Sequence, residues 1–288
     1  MVGIARQLWR KAPAPLKRAI KLRHEISQLN SIPRLTCNSE KLLAASQIDL
    51  EGLWRSGGVD ARWSESSKKI AACAIPDGTG GANPGDRRAI YYLVDKFNPA
   101  SILEVGTHIG ASTLHIAEAL FMSRIKSGMV GSVVSVDISN VNDPVTKPWL
   151  EYGTKHSPAE MVENMGFAAF VEFVTDTSLN YMGQSDRKFD FIFLDGDHGA
   201  RTVYREIPSA LAALNDNGLI LLHDYFPDLK PLWSNGAVIP GPFLAVKRHI
   251  KEGARLAVLP VGGLPWATKL QSNISSLALL VRDDRYTS

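Results

Sequence analysis

Ser101-Ile102-Leu103-Glu104-Val105-Gly106-Thr107-His108-Ile109-Gly110-Ala111-Ser112 is the stretch whose reading decides the fold. Ser101 to Val105 is a short apolar run of strand type, and from Ser112 to Met122 the chain reads as a helix. A strand that enters a helix through Gly106 and Gly110 lets the backbone approach a ligand, and the first amides of the helix favour a negative group such as a carboxylate. Glu104 inside the turn would repel a pyrophosphate but could accept from an ammonium. A nicotinamide site would want Gly-x-Gly-x-x-Gly, and its second glycine would fall on position 108, which is histidine. The turn therefore suits the amino-acid end of a cofactor better than a dinucleotide.

Outward from this turn, strand-type runs recur at Ser132 to Val136, Phe170 to Val174, Phe189 to Leu194 and Gly218 to Leu222. Helical stretches lie between them, and Thr202 to Leu214 places Val203, Ile207, Leu211 and Leu214 on one face. Pro208 is expected to kink or shorten that helix. Strand and helix in alternation predict a parallel sheet covered on both faces. A helix at Pro242 to Lys251 is then followed by two strand-type runs, Arg255 to Val261 and Ser276 to Val281, which predict a terminal antiparallel pair. The fold class is thus α/β: a Rossmann-like, doubly wound, seven-stranded and mostly parallel sheet with an antiparallel C-terminal strand and an N-terminal helical extension.

Chemistry-bearing residues sit at the carboxyl ends of these strands, the edge where open α/β sheets bind ligands. Asp137 closes the second strand, where doubly wound folds carry the carboxylate for ribose hydroxyls. Asp176-Thr177-Ser178 closes the third and could border an adenine, although a helix cap is the plainer role for such residues. Asp195-Gly196-Asp197-His198 follows the fourth strand and His223-Asp224-Tyr225 the fifth. Together they suit proton removal and a divalent cation.

With these motifs the chain resembles a class I S-adenosylmethionine-dependent methyltransferase. It is closest in pattern to the small-molecule O-methyltransferases of the catechol, caffeoyl-CoA and macrocin kinds, over roughly Asn83 to Arg282. The resemblance implies that Glu104, Gly106, Thr107, His108 and Gly110 wrap the methionine portion of the cofactor and that Ser112 holds its carboxylate. It further implies that Asp137 binds the ribose, that Asp176, Thr177 and Ser178 border the adenine, and that Asp195 reaches the cofactor's edge. In catechol-type enzymes an aspartate after strand four binds magnesium and a lysine three positions on is the general base. Those places are held here by Asp195 and by His198, whose imidazole can take a proton near neutral pH. Asp224 matches the metal-binding aspartate after strand five, while Tyr225 stands where catechol-type enzymes have asparagine and His223 where macrocin-type enzymes have an acid. Asp195 and Asp224 are therefore the metal candidates, with Mg2+ the implied ion and the third ligand unassigned. The implied reaction is methylation of a hydroxyl on a small natural product, sugar or phenol. A cofactor-binding scaffold without activity and an NAD-dependent oxidoreductase are the alternative readings.

The remaining sequence bounds the setting. The chain has 288 residues and a net charge of +3, yet its first 24 residues hold Arg6, Arg10, Lys11, Lys17, Arg18, Lys21 and Arg23 with no acid. Subtracting those seven from +3 leaves −4 on the rest, so the body offers no basic surface for nucleic acid. After the Ala12-Pro13-Ala14-Pro15 break, Leu16, Ala19, Ile20, Ile26 and Leu29 predict an amphipathic basic helix. It could pack on its own domain or a dimer mate, lie on an anionic membrane, or meet an acidic partner or nucleic acid. Residues 1–82 read as this arm plus a lid or linker region, with one helix expected near Ser39 to Trp54 and a flexible turn at Gly78-Thr79-Gly80-Gly81, and 83–288 read as the catalytic domain. Aromatic residues of the acceptor pocket are sought in the Asp143 to His156 insertion and in Tyr225 to Pro242, with Phe226, Trp233 and Phe243. Leu264 to Lys269 reads as the turn of the last hairpin. Cys37 and Cys73 lack metal spacing and read as unpaired thiols. Met1 to Arg10 has no apolar core of a secretory signal, so the expected location is cytoplasmic, with a membrane-peripheral position as the variant.

Overall fold

The computed structural model describes residues 14–128 and 131–284. Arg6, Arg10 and Lys11 of the basic arm lie outside the described residues. Helix α1 (Ala14–Asn30) is followed by α2 (Leu50–Trp54), α3 (Gly57–Ala71) and α4 (Pro84–Phe97). Then come β1 (Ser101–Val105), α5 (Ala111–Ser127), β2 (Ser132–Asp137), α6 (Pro158–Asn164), β3 (Val171–Thr175), α7 (Ser178–Gln184), β4 (Phe189–Leu194) and α8 (Ala200–Ala213). Finally β5 (Leu214–Leu222), α9 (Gly241–Lys251), β6 (Leu256–Gly263) and β7 (Ile274–Arg282) complete the chain.

The seven strands form one sheet in the order β3-β2-β1-β4-β5-β7-β6. β1 to β5 pair in parallel, and β7 runs antiparallel to both β5 and β6. Side chains alternate across the sheet, as strand geometry requires. Ile102, Phe191, Phe193 and Leu221 face α4 and α5, and Leu103, Val105, Ile192 and Leu194 face α8 and α9. Burial on both faces explains why these strands read as continuous apolar runs. The strand order reverses between β1 and β4, so the crevice at their carboxyl ends is the place for a ligand.

Differences from the sequence reading lie outside this frame. Ser39 to Trp54 is not one helix: Leu42 and Ala44 form bridges to Gly218 and Arg282, and only a 3-10 turn at Ala45–Gln47 and the short α2 follow. Backbone pairing with the middle of β5 and the end of β7 overrides the helical periodicity. Helix α3 is hidden by its opening glycines and polar composition, because its inner stripe is Val59, Trp63, Ser66 and Ile70. Ser66 earns its place inside by bonding Tyr91 and Glu118 at 3.0 and 2.8 Å. Helix α1 starts at Ala14 and takes in Pro15, where a first-turn proline is tolerated. Helix α8 neither ends nor shortens at Pro208. Proline leaves the Tyr204 carbonyl without its helical donor, and His249 Nε2 lies 2.9 Å from that oxygen in its place.

Candidate active site

A cavity of about 1130 Å3 opens at the carboxyl ends of β1 to β4. That is room for a nucleoside-sized cofactor and a small acceptor together. Its floor is the turn after β1. Gly106 has φ +97 and Gly110 φ +75, both in the left-handed region. A Cβ on Gly106 would stand 2.3 Å from the Asp195 carbonyl oxygen, so the β1 and β4 turns touch at a point only glycine permits. Gly106, Thr107, His108 and Ser112 line the cavity, whereas Gly110 sits behind it against Pro158.

Glu104 lies beneath the floor rather than on it. It is fully buried, and its Oε2 accepts from the hydroxyls of Thr113 at 2.5 Å and Ser135 at 2.6 Å. Burial pushes its pKa up to about 7 against the pull of the neighbouring hydroxyls. Its Oε1 has no partner, which leaves a buried acceptor under the turn.

Asp137 lines the cavity at the end of β2 and is held by the His108 and Ser139 amides, both at 2.9 Å. Asp176, Thr177 and Ser178 line its far wall. Thr177 also caps α7, the plainer role considered for this stretch. The sequence reading passed over Glu206 on α8, which lines the same wall, is 2% exposed and accepts from Ser178 at 2.5 Å. Burial raises its pKa to about 7, and Asp197 adds to the rise. A carboxyl raised in the folded state contributes stability that is full below its ordinary pKa of 4.5 and lost as pH climbs to about 7. Glu206→Gln should therefore raise the melting temperature relative to wild type by about 5 °C more at pH 8 than at pH 5. Parallel melting curves at the two values would argue against a buried ionising group there.

On the near side the ionisable groups of β4 and β5 converge. His198 Nε2 stands 3.6 Å from Asp195 Oδ1 and 3.5 Å from Asp224 Oδ2. His223 Nδ1 lies 2.7 Å from the same Asp195 oxygen, and its Nε2 lies 3.5 Å from Asp86 Oδ2 on α4. Asp86 stands in the first turn of α4 and has no part in the sequence reading of the site. Burial opposes a charge on His223, but Asp195, Asp224 and Asp86 outweigh it and hold its pKa well above the usual imidazole range. Asp195 and His198 line the cavity; Asp224, with φ +53, stands just behind them. One donor atom each of Asp195, His198 and His223 lies within 4.8 Å of the others, a grouping that could hold a cation. Neither ring nitrogen of His223 meets hydrogen-bond geometry despite its close carboxylates, so the donor set fits a shared ion at least as well as a closed network.

The aromatic residues expected in the acceptor pocket divide. Tyr152 of the insertion lines the cavity and packs edge-on against His108 at 4.3 Å. Phe226 and Trp233 instead pack on each other, and Phe243 packs on Tyr225, so they anchor the loop after β5. Leu264 to Lys269 falls in the β6–β7 connection, where Trp266 packs on Tyr92 and under Arg88. Thr79, Gly80 and Gly81 form part of the cavity wall. Cys37 and Cys73 are unpaired and partly buried.

Residues 103–225 match the family described as a methyltransferase domain. No curated protein sequence matches the chain. Among solved structures, an O-methyltransferase from Bacillus cereus in complex with SAH is 18% identical, with 77% of this chain and 91% of that chain covered and a TM-score of 0.50. A putative O-methyltransferase from Klebsiella pneumoniae is 16% identical, with 77% and 90% covered and a TM-score of 0.51. The O-methyltransferase TomG from Streptomyces achromogenes, involved in tomaymycin synthesis and solved with SAM, is 15% identical, with 77% and 89% covered and a TM-score of 0.50. At these identities the likeness speaks for the fold, and the family match speaks for the activity. Residues 103–225 are therefore those of a methyltransferase domain, on the fold that these solved O-methyltransferases share, as the turn motifs after β1, β2 and β4 implied.

Proposed function

We propose that the chain methylates a hydroxyl group of a small molecule, with His198 as the general base. The observation that carries this reading is the position of His198: it lines the cofactor cavity with Nε2 within 3.6 Å of two carboxylates. S-adenosylmethionine, when bound, supplies an electrophilic methyl on a sulfonium. Gly106, Ser112 and Asp137 line the part of the cavity that suits its methionine and ribose, and the Asp176 to Ser178 wall with Glu206 suits its adenine. One orphaned group on the turn, His108 Nδ1, is consistent with a polar ligand seated there. His198 takes the proton of the acceptor hydroxyl at Nε2, and Asp195 and Asp224 stabilise the imidazolium that results. Positioning of the acceptor beside the methyl supplies much of the remaining acceleration.

Asp195 and Asp224 are suited to hold a divalent cation, which would displace the proton of His223 before that ring could serve as third donor, with His198 left free for the acceptor's proton. Carboxylate oxygens suit Mg2+, and the imidazole broadens the choice to Mn2+. Such an ion would acidify a bound hydroxyl. The test is a screen of phenolic and sugar hydroxyls for S-adenosylmethionine-dependent methylation, with and without chelator, beside direct Mn2+ titration of wild type and Asp224→Ala. Methylation of carbon or nitrogen acceptors alone would refute the hydroxyl reading. Mn2+ binding that survives Asp224→Ala unchanged would refute the ligand set.

A further inference from the structure

Helix α1 does not lie randomly on the domain. Glu25 accepts from the Ala200 amide at 2.7 Å, two residues past His198, and Leu29 is buried against the α8 and α9 cluster. Arg248, near the end of α9, donates to the Leu29 and Ile32 carbonyls, the latter at 2.8 Å. Toward its start, α1 reaches the loop after β5, where Arg18 donates to the Leu229 carbonyl. α9 begins at the site's edge, since a Cβ on Gly241 would meet the His198 carbonyl. The helix therefore climbs from the far end of α9 to the rim of the crevice, and its basic first half stands at that rim.

That half turns unusual side chains outward. Leu16 and Ile20, one turn apart, are 50% and 44% exposed, and the exposed Lys21 and Arg23 flank them. On the opposite side of the rim the insertion after β2 exposes Ile138, Val145, Leu150 and Tyr152, with Val145 at 86%. Seven of the nine large exposed apolar residues among those described belong to α1 or this insertion. Charge sorts what can cover such a surface. Ahead of Glu25, α1 carries Lys17, Arg18, Lys21 and Arg23 and no acid, while residues 25–288 are net −4. A like-charged second copy of the arm is disfavoured, and an anionic layer would attract the rim while repelling the body, which fixes an orientation. Alkyl side chains interleaved with Lys and Arg on one exposed helix face suit headgroups above and acyl chains below.

We propose that the chain docks on anionic phospholipid bilayers through the basic first half of α1 and the apolar tip of the insertion, so that the crevice rim faces the membrane. Among the described residues no helix is long and apolar enough to cross a membrane, so the contact is peripheral. This inference goes beyond the methyltransferase reading and does not depend on it.

The experiment is flotation of the full chain with phosphatidylcholine vesicles, with and without phosphatidylglycerol. Wild type should co-float with the anionic vesicles, be released by high salt and ignore the neutral ones. A variant with Leu16→Ser, Ile20→Ser, Lys21→Gln and Arg23→Gln should bind about thirtyfold more weakly, the effect of two basic residues near a charged surface alone. Val145→Asp with Leu150→Asp should also weaken binding. S-adenosylmethionine affinity, measured on each protein, should be unchanged and confirms that the variants are folded. Equal binding to neutral vesicles, wild-type binding by either variant, or retention by a soluble acidic protein in place of vesicles would overturn the proposal.

Discussion

Replacing Gly106 with alanine should weaken S-adenosylmethionine binding by about a hundredfold, the upper end of what a left-handed non-glycine residue costs at one position. The residue has φ +97, and its new Cβ would stand 2.3 Å from the Asp195 carbonyl oxygen and 2.7 Å from the carbonyl carbon. Those are backbone atoms of the β4 turn, which cannot rotate aside as a side chain would. Either the β1 turn withdraws from the ligand or the β4 turn shifts and carries Asp195 with it. Both outcomes damage binding, and the second damages chemistry as well. Calorimetric titration with a melting curve on the same sample separates lost affinity from lost fold. Wild-type affinity in the alanine variant would mean that the cofactor is not held by this turn.

His198→Ala is expected to lower kcat by about 10²- to 10⁴-fold, the usual contribution of a positioned general base. The cofactor's dissociation constant should stay within about twofold, because the role proposed for His198 is toward the acceptor. Its Nε2 stands 3.5 Å from Asp224 and 3.6 Å from Asp195, so the ring's orientation depends on both side chains. Asp195→Asn should cost activity and also disturb His223, which shares that oxygen at 2.7 Å. Turnover unaffected by His198→Ala would remove the histidine from the mechanism and leave acidification by a cation as the remaining route.

Much of the architecture is legible in the sequence because the parallel strands are buried on both sides. Ser101–Val105 and Phe189–Leu194 stand where their apolar runs end, and the last two strands pair antiparallel as their succession without a helix requires. What escaped was set by distant contacts. Leu42 and Ala44 look helical until Gly218 and Arg282 claim their backbone. Helix α3 buries a serine in its inner stripe, because Tyr91 and Glu118 satisfy the hydroxyl.

The candidate site divides in the same way. Residues at strand ends, from Gly106 and Asp137 to Asp195 and His198, are legible because βαβ topology gathers carboxyl ends at one edge. Glu206 and Asp86 are not, because each lies on a helix and meets the site only by packing. Asp86 joins the cluster through His223, which lies far along the chain on β5's end. A buried acid on an otherwise apolar helix face is the trace such residues leave, and Glu206 leaves it one position before Ile207. Glu104 shows the reverse: its place in the motif suggested direct contact, whereas the fold puts it under the turn with Thr113 and Ser135.

The most direct test of the account is titration of the purified chain with S-adenosylmethionine and, separately, with NAD in a calorimeter. Saturable binding of S-adenosylmethionine with one site per chain, weakened about a hundredfold in Gly106→Ala and absent for NAD, is the predicted result. Saturable binding of NAD, or no binding of S-adenosylmethionine by folded protein, would contradict it.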